Sequence, residues 1–200
     1  MGVDKATLAV GDQAGSRGST LAVRTARLLG EVTDIAVEVG PGRSGLPYST
    51  EDPPGDGPLA GFAEGWRRLR SVGWEGPVLL VATDLPSLDV EFLRWLAGYP
   101  GDRSVVPTVG RVPQPLCARY APGVFDRAVD ALGRGDRSMR ALLEIILPIL
   151  VDPETAGAPD SWRDSLADAD TPGDLARLAG AATDRAAGVG GFANPRPGVA

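Results

Sequence analysis

The feature that most constrains this chain is the stretch Pro77-Val78-Leu79-Leu80-Val81-Ala82-Thr83-Asp84-Leu85-Pro86-Ser87-Leu88. It opens with an unbroken apolar run and closes with a carboxylate and a proline. A run of this kind reads as a strand buried on both faces, as inside a parallel sheet. Pro86 stops the strand and leaves Asp84 at its carboxyl end. In open α/β sheets that rim is where ligands bind. A short acid held there suits a divalent metal placed against a phosphate. The same residue also suits a simpler task, capping the turn or the helix that begins near Ser87 or Asp89. From this stretch both readings stay open.

Composition narrows the chemistry. Two hundred residues suit one domain with a real core. With 43% hydrophobic residues the chain is neither disordered in bulk nor membrane-embedded. No apolar run approaches the roughly 18 residues that span a bilayer, and no secretory signal is visible. A formal charge of −6 argues against nucleic acid or an anionic membrane as main partner. The single cysteine, Cys117, excludes an internal disulfide and suits the cytoplasm. Histidine is absent, which excludes Ser-His-Asp and Cys-His catalysis and any His-ligated zinc. An enzyme built from these residues needs a nucleophile that is already an anion near neutral pH. A phosphate monoester meets that condition.

Along the chain, strand and helix patterns alternate, which predicts a parallel α/β sheet. Asp4 and Lys5 by themselves read as a solvated pair at a frayed end. Ser19 or Thr20 caps a helix to Leu29 with Gly30 as its stop, and the alternation of Ile35, Val37 and Val39 predicts a strand over 33–39. A stiff loop runs from Gly40 to about Pro58. Leu59, Phe62, Ala63, Trp66 and Leu69 then mark one face of a helix. Further helices are expected over 89–97, 123–132 and 139–147, and strands over 103–107, 114–120 and 149–151. Residues 153–164 read as a loose loop. Thr171, Pro172 and Asp174 make a helix start, which leaves Asp168 and Asp170 unexplained. From Thr183 onward Gly, Ala and Pro dominate, so the domain is expected to cover 1–182 and a disordered tail 183–200.

Taken together, six of these segments resemble the molybdenum-cofactor guanylyltransferases, within the nucleotidyltransferases related to nucleotide-sugar pyrophosphorylases. Met1-Gly2-Val3-Asp4-Lys5 is similar to the end of that family's glycine-loop signature. Asp52 followed by Gly57-Pro58-Leu59-Ala60-Gly61 resembles its acid and Gly-Pro-Leu-Ala-Gly element. Thr83-Asp84-Leu85-Pro86 resembles its Cys-Asp-x-Pro strand end, with Thr83 in place of Cys. Gln114-Pro115-Leu116, Arg137-Ser138 and Asp168-Ala169-Asp170-Thr171-Pro172 resemble three later elements.

The resemblance implies a Rossmann-like three-layer sandwich with a mostly parallel sheet, of the nucleotide-diphospho-sugar transferase type. It implies transfer of GMP from GTP onto the phosphate of molybdopterin-bound molybdenum, with release of pyrophosphate. Lys5 would contact the triphosphate, Asp84 would carry Mg²⁺, Asp52 would help hold the nucleotide, and Asp170 would add to the metal or nucleotide site. Gln114, Arg137 and Ser138 would face the pterin. Transient contact with proteins that deliver or receive the cofactor is also implied. Such chemistry depends mainly on positioning and charge neutralisation, and Mg²⁺ needs only one or two protein carboxylates.

Two departures from the family pattern carry expectations of their own. The chain opens inside the signature, so the first strand and glycine loop are expected upstream, with Met1 an internal methionine. A chain that truly starts at Met1 is expected to turn over GTP weakly or not at all. Asp168 and Asp170 stand where guanylyl-transferring members often carry asparagine and cytidylyl-transferring relatives carry aspartate, while Gly57-Pro58-Leu59-Ala60-Gly61 leans toward GTP. The alternatives are a CTP-dependent relative, an enzyme activating a sugar phosphate or phospholactate, and an inactive paralogue.

Overall fold

The computed structural model describes residues 9–10 and 19–167. The tail over 183–200 and the segment around Asp168 lie outside the described residues. In chain order the elements are β1 (Ala9–Val10), β2 (Ser19–Thr20), α1 (Leu21–Gly30), β3 (Glu38–Val39), β4 (Tyr48–Ser49), α2 (Pro58–Ser71), β5 (Val78–Val81), α3 (Val90–Ala97), β6 (Val105–Val109), β7 (Val112–Pro113), β8 (Cys117–Tyr120), α4 (Val124–Gly133), α5 (Met139–Ile146), β9 (Ile149–Val151) and α6 (Trp162–Ser165).

The main sheet runs β5, β8, β6, β9, with β7 hairpinned onto β6. β8 is antiparallel to both β5 and β6, whereas β6 and β9 are parallel. Thus β5, β6 and β9 point one way and β7 and β8 run against them, so the sheet is mixed. The reason for the reversal is local. Only Gly110 and Arg111 separate β6 from β7, and a two-residue link can join only antiparallel strands. Gly110 has φ +61°, as the first central position of such a turn requires.

Successive residues of each strand point to opposite faces, and both faces here are apolar. Val78, Val106, Ala118 and Tyr120 join one core with α2, α4 and α5. Leu79, Val81, Val105 and Cys117 join a second core with α1, α3 and α6. Helix, sheet and helix therefore form three layers. On α2 the predicted stripe of Leu59, Phe62, Ala63, Trp66 and Leu69 is buried throughout. Each large side chain in it contributes about 1.5–3 kcal/mol through burial.

Several helix starts follow the sequence signals. The Thr20 hydroxyl accepts from Val23 N–H at 3.3 Å to open α1. The Asp89 carboxylate caps α3 by accepting from Glu91 and Phe92 N–H, and Ser138 caps α5 through Ala141 N–H.

Two expectations change. The strand predicted over 33–39 shrinks to Glu38–Val39, paired in parallel with β4 alone. Residues 33–37 meet no other strand among the described residues, so alternation there is not matched by a ladder. The predicted loose loop 153–164 contains the first residues of α6, whose Trp162 is buried in the second core. Ser165 Oγ accepts from Asp89 N–H at 3.1 Å and ties this segment to the start of α3.

Candidate active site

The site forms where β5 ends. Ala82 N–H donates to the Leu116 carbonyl at 2.7 Å, and β5 pairs with β8 in the register Val78↔Tyr120 to Val81↔Cys117. In an antiparallel ladder, bonded residues alternate. Val78, Leu80 and Ala82 therefore bond to β8, and Leu79 and Val81 turn their N–H and C=O the other way. On that side β5 meets no strand among the described residues. Two clefts lie along this edge instead.

The smaller, of about 270 Å³, is mostly apolar and runs from Leu29 and Ile35 past Trp66 and Trp74 to Val78. Arg119 lines its end. Its guanidinium donates to the carbonyls of Ala97, Tyr99, Gly101 and Arg103 at 2.7–3.3 Å, which staples the loop after α3. Burial pulls Arg119 below its ordinary pKa, and Asp102 pulls it back up.

The larger cleft, of about 580 Å³, lies beside the carboxyl end of β5. Ala22, Thr25, Ala26 and Leu29 of α1 form one wall. Val37 to Val39, Ser44 and Leu46 form another. Glu51, Gly55, Gly57, Pro58, Gly61 and Phe62 contribute the loop before α2 and its first turns. Leu79 to Asp84 make the floor, with Leu116 beside them. The size falls within the range of small-molecule sites.

Asp84 is half-buried in this lining, three residues beyond the last strand residue. Leu85, Pro86, Ser87 and Leu88 behind it are buried, so its backbone is anchored in the core. No hydrogen bond or ion pair engages its carboxylate among the described residues. The helix at Ser87 or Asp89 is capped by Asp89, not by Asp84. The capping alternative raised by the sequence is thus taken by another residue.

The entry to α2 is shaped by a close backbone approach. Gly57 has φ +97°, and a Cβ there would lie 2.8 Å from the Arg137 carbonyl oxygen. That carbonyl accepts from Leu59 N–H at 3.2 Å. The Arg137 guanidinium donates to Asp56 at 2.7 Å and to the carbonyls of Leu132 and Asp136. Arg137 thereby holds the Gly57-Pro58 turn against α5. Farther along α2, Gly61 and Gly65 let Val39 approach the helix.

The other residues singled out by the sequence divide clearly. Lys5, Asp168 and Asp170 lie outside the described residues. Asp52 is exposed and is not part of either cleft wall, whereas its neighbour Glu51 is. The Glu51 carboxylate accepts from Gly55 N–H at 2.9 Å and tightens the loop. Gln114, Arg137 and Ser138 line neither cleft. The Gln114 amide donates to the Val112 carbonyl at 3.3 Å, and Ser138 is engaged as the α5 cap. Among the described residues no group of three or more His, Cys, Asp or Glu side chains is placed to hold a metal unaided. No helix among them is long and apolar enough to cross a membrane.

Sequence reading missed Glu38 and Thr25. Thr25 is buried on α1, in the cleft wall. Its only sequence signal was a polar residue within an apolar helical stripe. Glu38 carried a better one, a carboxylate at a strand end followed by Gly40, Gly42 and Gly45.

A layered sheet with an acid on the rim of a strand and a cleft of small-molecule size beside it defines an α/β protein with a candidate ligand site at the sheet border. The chain belongs to the family of the MobA-like NTP transferase domain, which it matches over residues 1–152, and is thus a nucleotidyltransferase by family. No curated protein matches it by sequence. Solved structures do match by fold. It is similar to the molybdopterin-guanine dinucleotide biosynthesis protein A of Archaeoglobus fulgidus, with TM-score 0.68, 22% identity and 92% of each chain covered. It is similar to a Methanothermobacter nucleotidyl transferase, with TM-score 0.64 and 18% identity, over 92% of this chain and 87% of that one. A putative protein of Aquifex aeolicus gives TM-score 0.63 and 15% identity over 76% and 79%.

Proposed function

We propose that this nucleotidyltransferase moves GMP from GTP onto the phosphate of molybdopterin-bound molybdenum and releases pyrophosphate. The observation that carries the reading is Asp84, half-buried at the carboxyl end of β5 and turned into the 580 Å³ cleft. The A. fulgidus protein supports the acceptor by its name and the family supports the reaction class.

A magnesium ion suits this donor set. A single carboxylate fixed at a cleft rim matches an ion that takes most of its oxygen ligands from phosphates and water. Asp84 is the proposed ligand, with Asp170 as a second. When bound, the ion neutralises charge on the triphosphate. Lys5 is proposed as a point charge on the same phosphates, and Asp52 as a contact to the nucleotide. Ala22, Leu29 and Phe62 make the α1 and α2 walls of the cleft apolar. The acceptor oxygen attacks the α-phosphorus, the bond to the bridging oxygen breaks, and pyrophosphate departs with that electron pair. The acceptor is already anionic, so the step needs no side chain to remove a proton, in keeping with a chain that has no histidine. Gln114, Arg137 and Ser138 are retained as pterin-side candidates, with Arg137 and Ser138 acting from the positions they hold at the starts of α2 and α5.

The test is a pyrophosphate-release assay with Mg²⁺ and GTP, CTP or ATP, with molybdopterin-bound molybdenum or a sugar phosphate as acceptor. Release that requires GTP and the pterin supports the proposal. Release with CTP, or with a sugar phosphate alone, refutes it in favour of a relative with another substrate.

A further inference from the structure

β3 and β4 are parallel neighbours joined by only residues 40–47. Parallel strands ordinarily need a crossover of about a dozen residues or more. Here the chain doubles back within a tight loop that places Gly42 at φ +74° and Gly45 at φ +83°. What holds the loop is the Glu38 carboxylate. One oxygen accepts from Gly42 N–H and Arg43 N–H, each at 2.9 Å. The other accepts from Ser44 N–H at 2.7 Å and from the Ser44 hydroxyl at 2.6 Å. On the far side, the Tyr48 ring packs so closely on Gly42 that a Cβ there would lie 2.8 Å from it. Successive N–H groups thus converge on the chain's own carboxylate, in the manner of a backbone anion nest. Glu38, Ser44 and Leu46 all line the larger cleft, across from the floor that carries Asp84.

We propose that Glu38 is a positioning residue for that cleft, folding residues 40–46 into a fixed wall against which the nucleoside triphosphate binds. The inference rests on the nucleotide cleft assigned above. Glu38 touches no reacting atom. It keeps the wall ready-made, so that binding does not have to order a glycine-rich loop. Loss of the carboxylate therefore weakens nucleotide binding and leaves the chemical step untouched, the signature of a purely binding role.

The test compares wild type with Glu38→Gln by steady-state kinetics and by amide hydrogen exchange. The expected result is a KM for the nucleotide raised about tenfold with kcat changed less than about twofold. Faster exchange at Gly42, Arg43 and Ser44 should accompany it. A loosened loop with an unchanged KM overturns the inference, as does a raised KM with an unaltered loop. Gly45→Ala provides a second route. No atom crowds a Cβ at Gly45, so the variant strains only the left-handed backbone there and should raise KM in the same sense by a smaller factor. Should the wild-type chain bind no triphosphate, the cleft assignment falls and takes this inference with it. Wild-type binding alongside unaffected variants refutes the inference alone.

Discussion

The two edges of β5 differ as sharply as any two regions of the molecule. Toward β8 the strand is closed, with a continuous ladder and a core in which Tyr120, Ala128 and Leu142 are fully buried. Toward β3 it is open, and its half-buried residues face clefts. Tyr120 illustrates the closed side. Its hydroxyl donates to the Pro115 carbonyl at 2.7 Å, and burial, with the Cys117 thiol beside it, pushes its pKa far above the ordinary tyrosine value. On the open side the carboxylates are only half-buried. Glu38, Glu51 and Asp84 face space that a ligand or water can enter. The difference teaches that one half of the sheet supplies rigidity and the other presents polar groups at its border.

The largest effect is expected on the closed side. Leu142→Ala should cost about 2–5 kcal/mol in denaturant unfolding, against less than about 1 kcal/mol for Leu46→Ala in the cleft wall. Similar costs for the two would erase the comparison. Asp84→Asn should behave in the opposite way, lowering turnover at least about a hundredfold while the unfolding midpoint stays near wild type. Gly57→Ala probes the border. With φ +97° and the Arg137 oxygen so close, it should destabilise by about 1–3 kcal/mol in the same unfolding measurement. A finer test uses β5 itself. Amides of Leu80 and Ala82 bond to β8 and should exchange slowly, while those of Leu79 and Val81, turned to the cleft, should exchange faster. Uniform protection along the strand would mean that its second edge is bonded in solution.

The smallest effect concerns acid. Burial alone would raise the Glu38 pKa, but the Ser44 hydroxyl and the N–H groups of Arg43, Ser44 and Gly42 outweigh it and leave it below the ordinary 4.5. The fold therefore favours the ionised form. Its stabilisation is complete above about 4.5 and is lost as pH falls below that value, through the lowered pKa. Protection of the Gly42 to Ser44 amides should be flat, after correction for intrinsic exchange, from neutral pH to that point and then decline.

The apolar core was more legible in sequence than the polar groups at its border, and the reason is physical. Leu59, Phe62, Trp66 and Leu69 announce a helix face because burial selects apolar residues at helical spacing, and Val78 to Val81 announce a two-faced strand for the same reason. Asp84 was readable because Pro86 fixed its place at the strand end. The antiparallel course of β8 was concealed, since alternation does not encode direction and only the Gly110 turn reveals it. The roles of Glu38 and Arg137 were concealed as well. Three of the four hydrogen bonds to the Glu38 carboxylate come from backbone N–H groups, which leave no pattern beyond the glycines that follow it. Arg137 meets Asp56 across 81 positions of chain. Asp52 stood out in sequence for its place before Gly57-Pro58, yet the wall of the cleft is made by Glu51 next to it.

Asp84 is proposed to bring a divalent ion to a nucleoside triphosphate. Manganese takes oxygen ligands much as magnesium does and is visible by electron paramagnetic resonance. The direct measurement is therefore titration of Mn²⁺ and GTP into wild type and Asp84→Asn. Wild type should bind the ion together with the triphosphate, and the variant should bind it at least about tenfold more weakly with its fold unchanged. Equal binding of Mn²⁺ and GTP by both proteins would contradict the account.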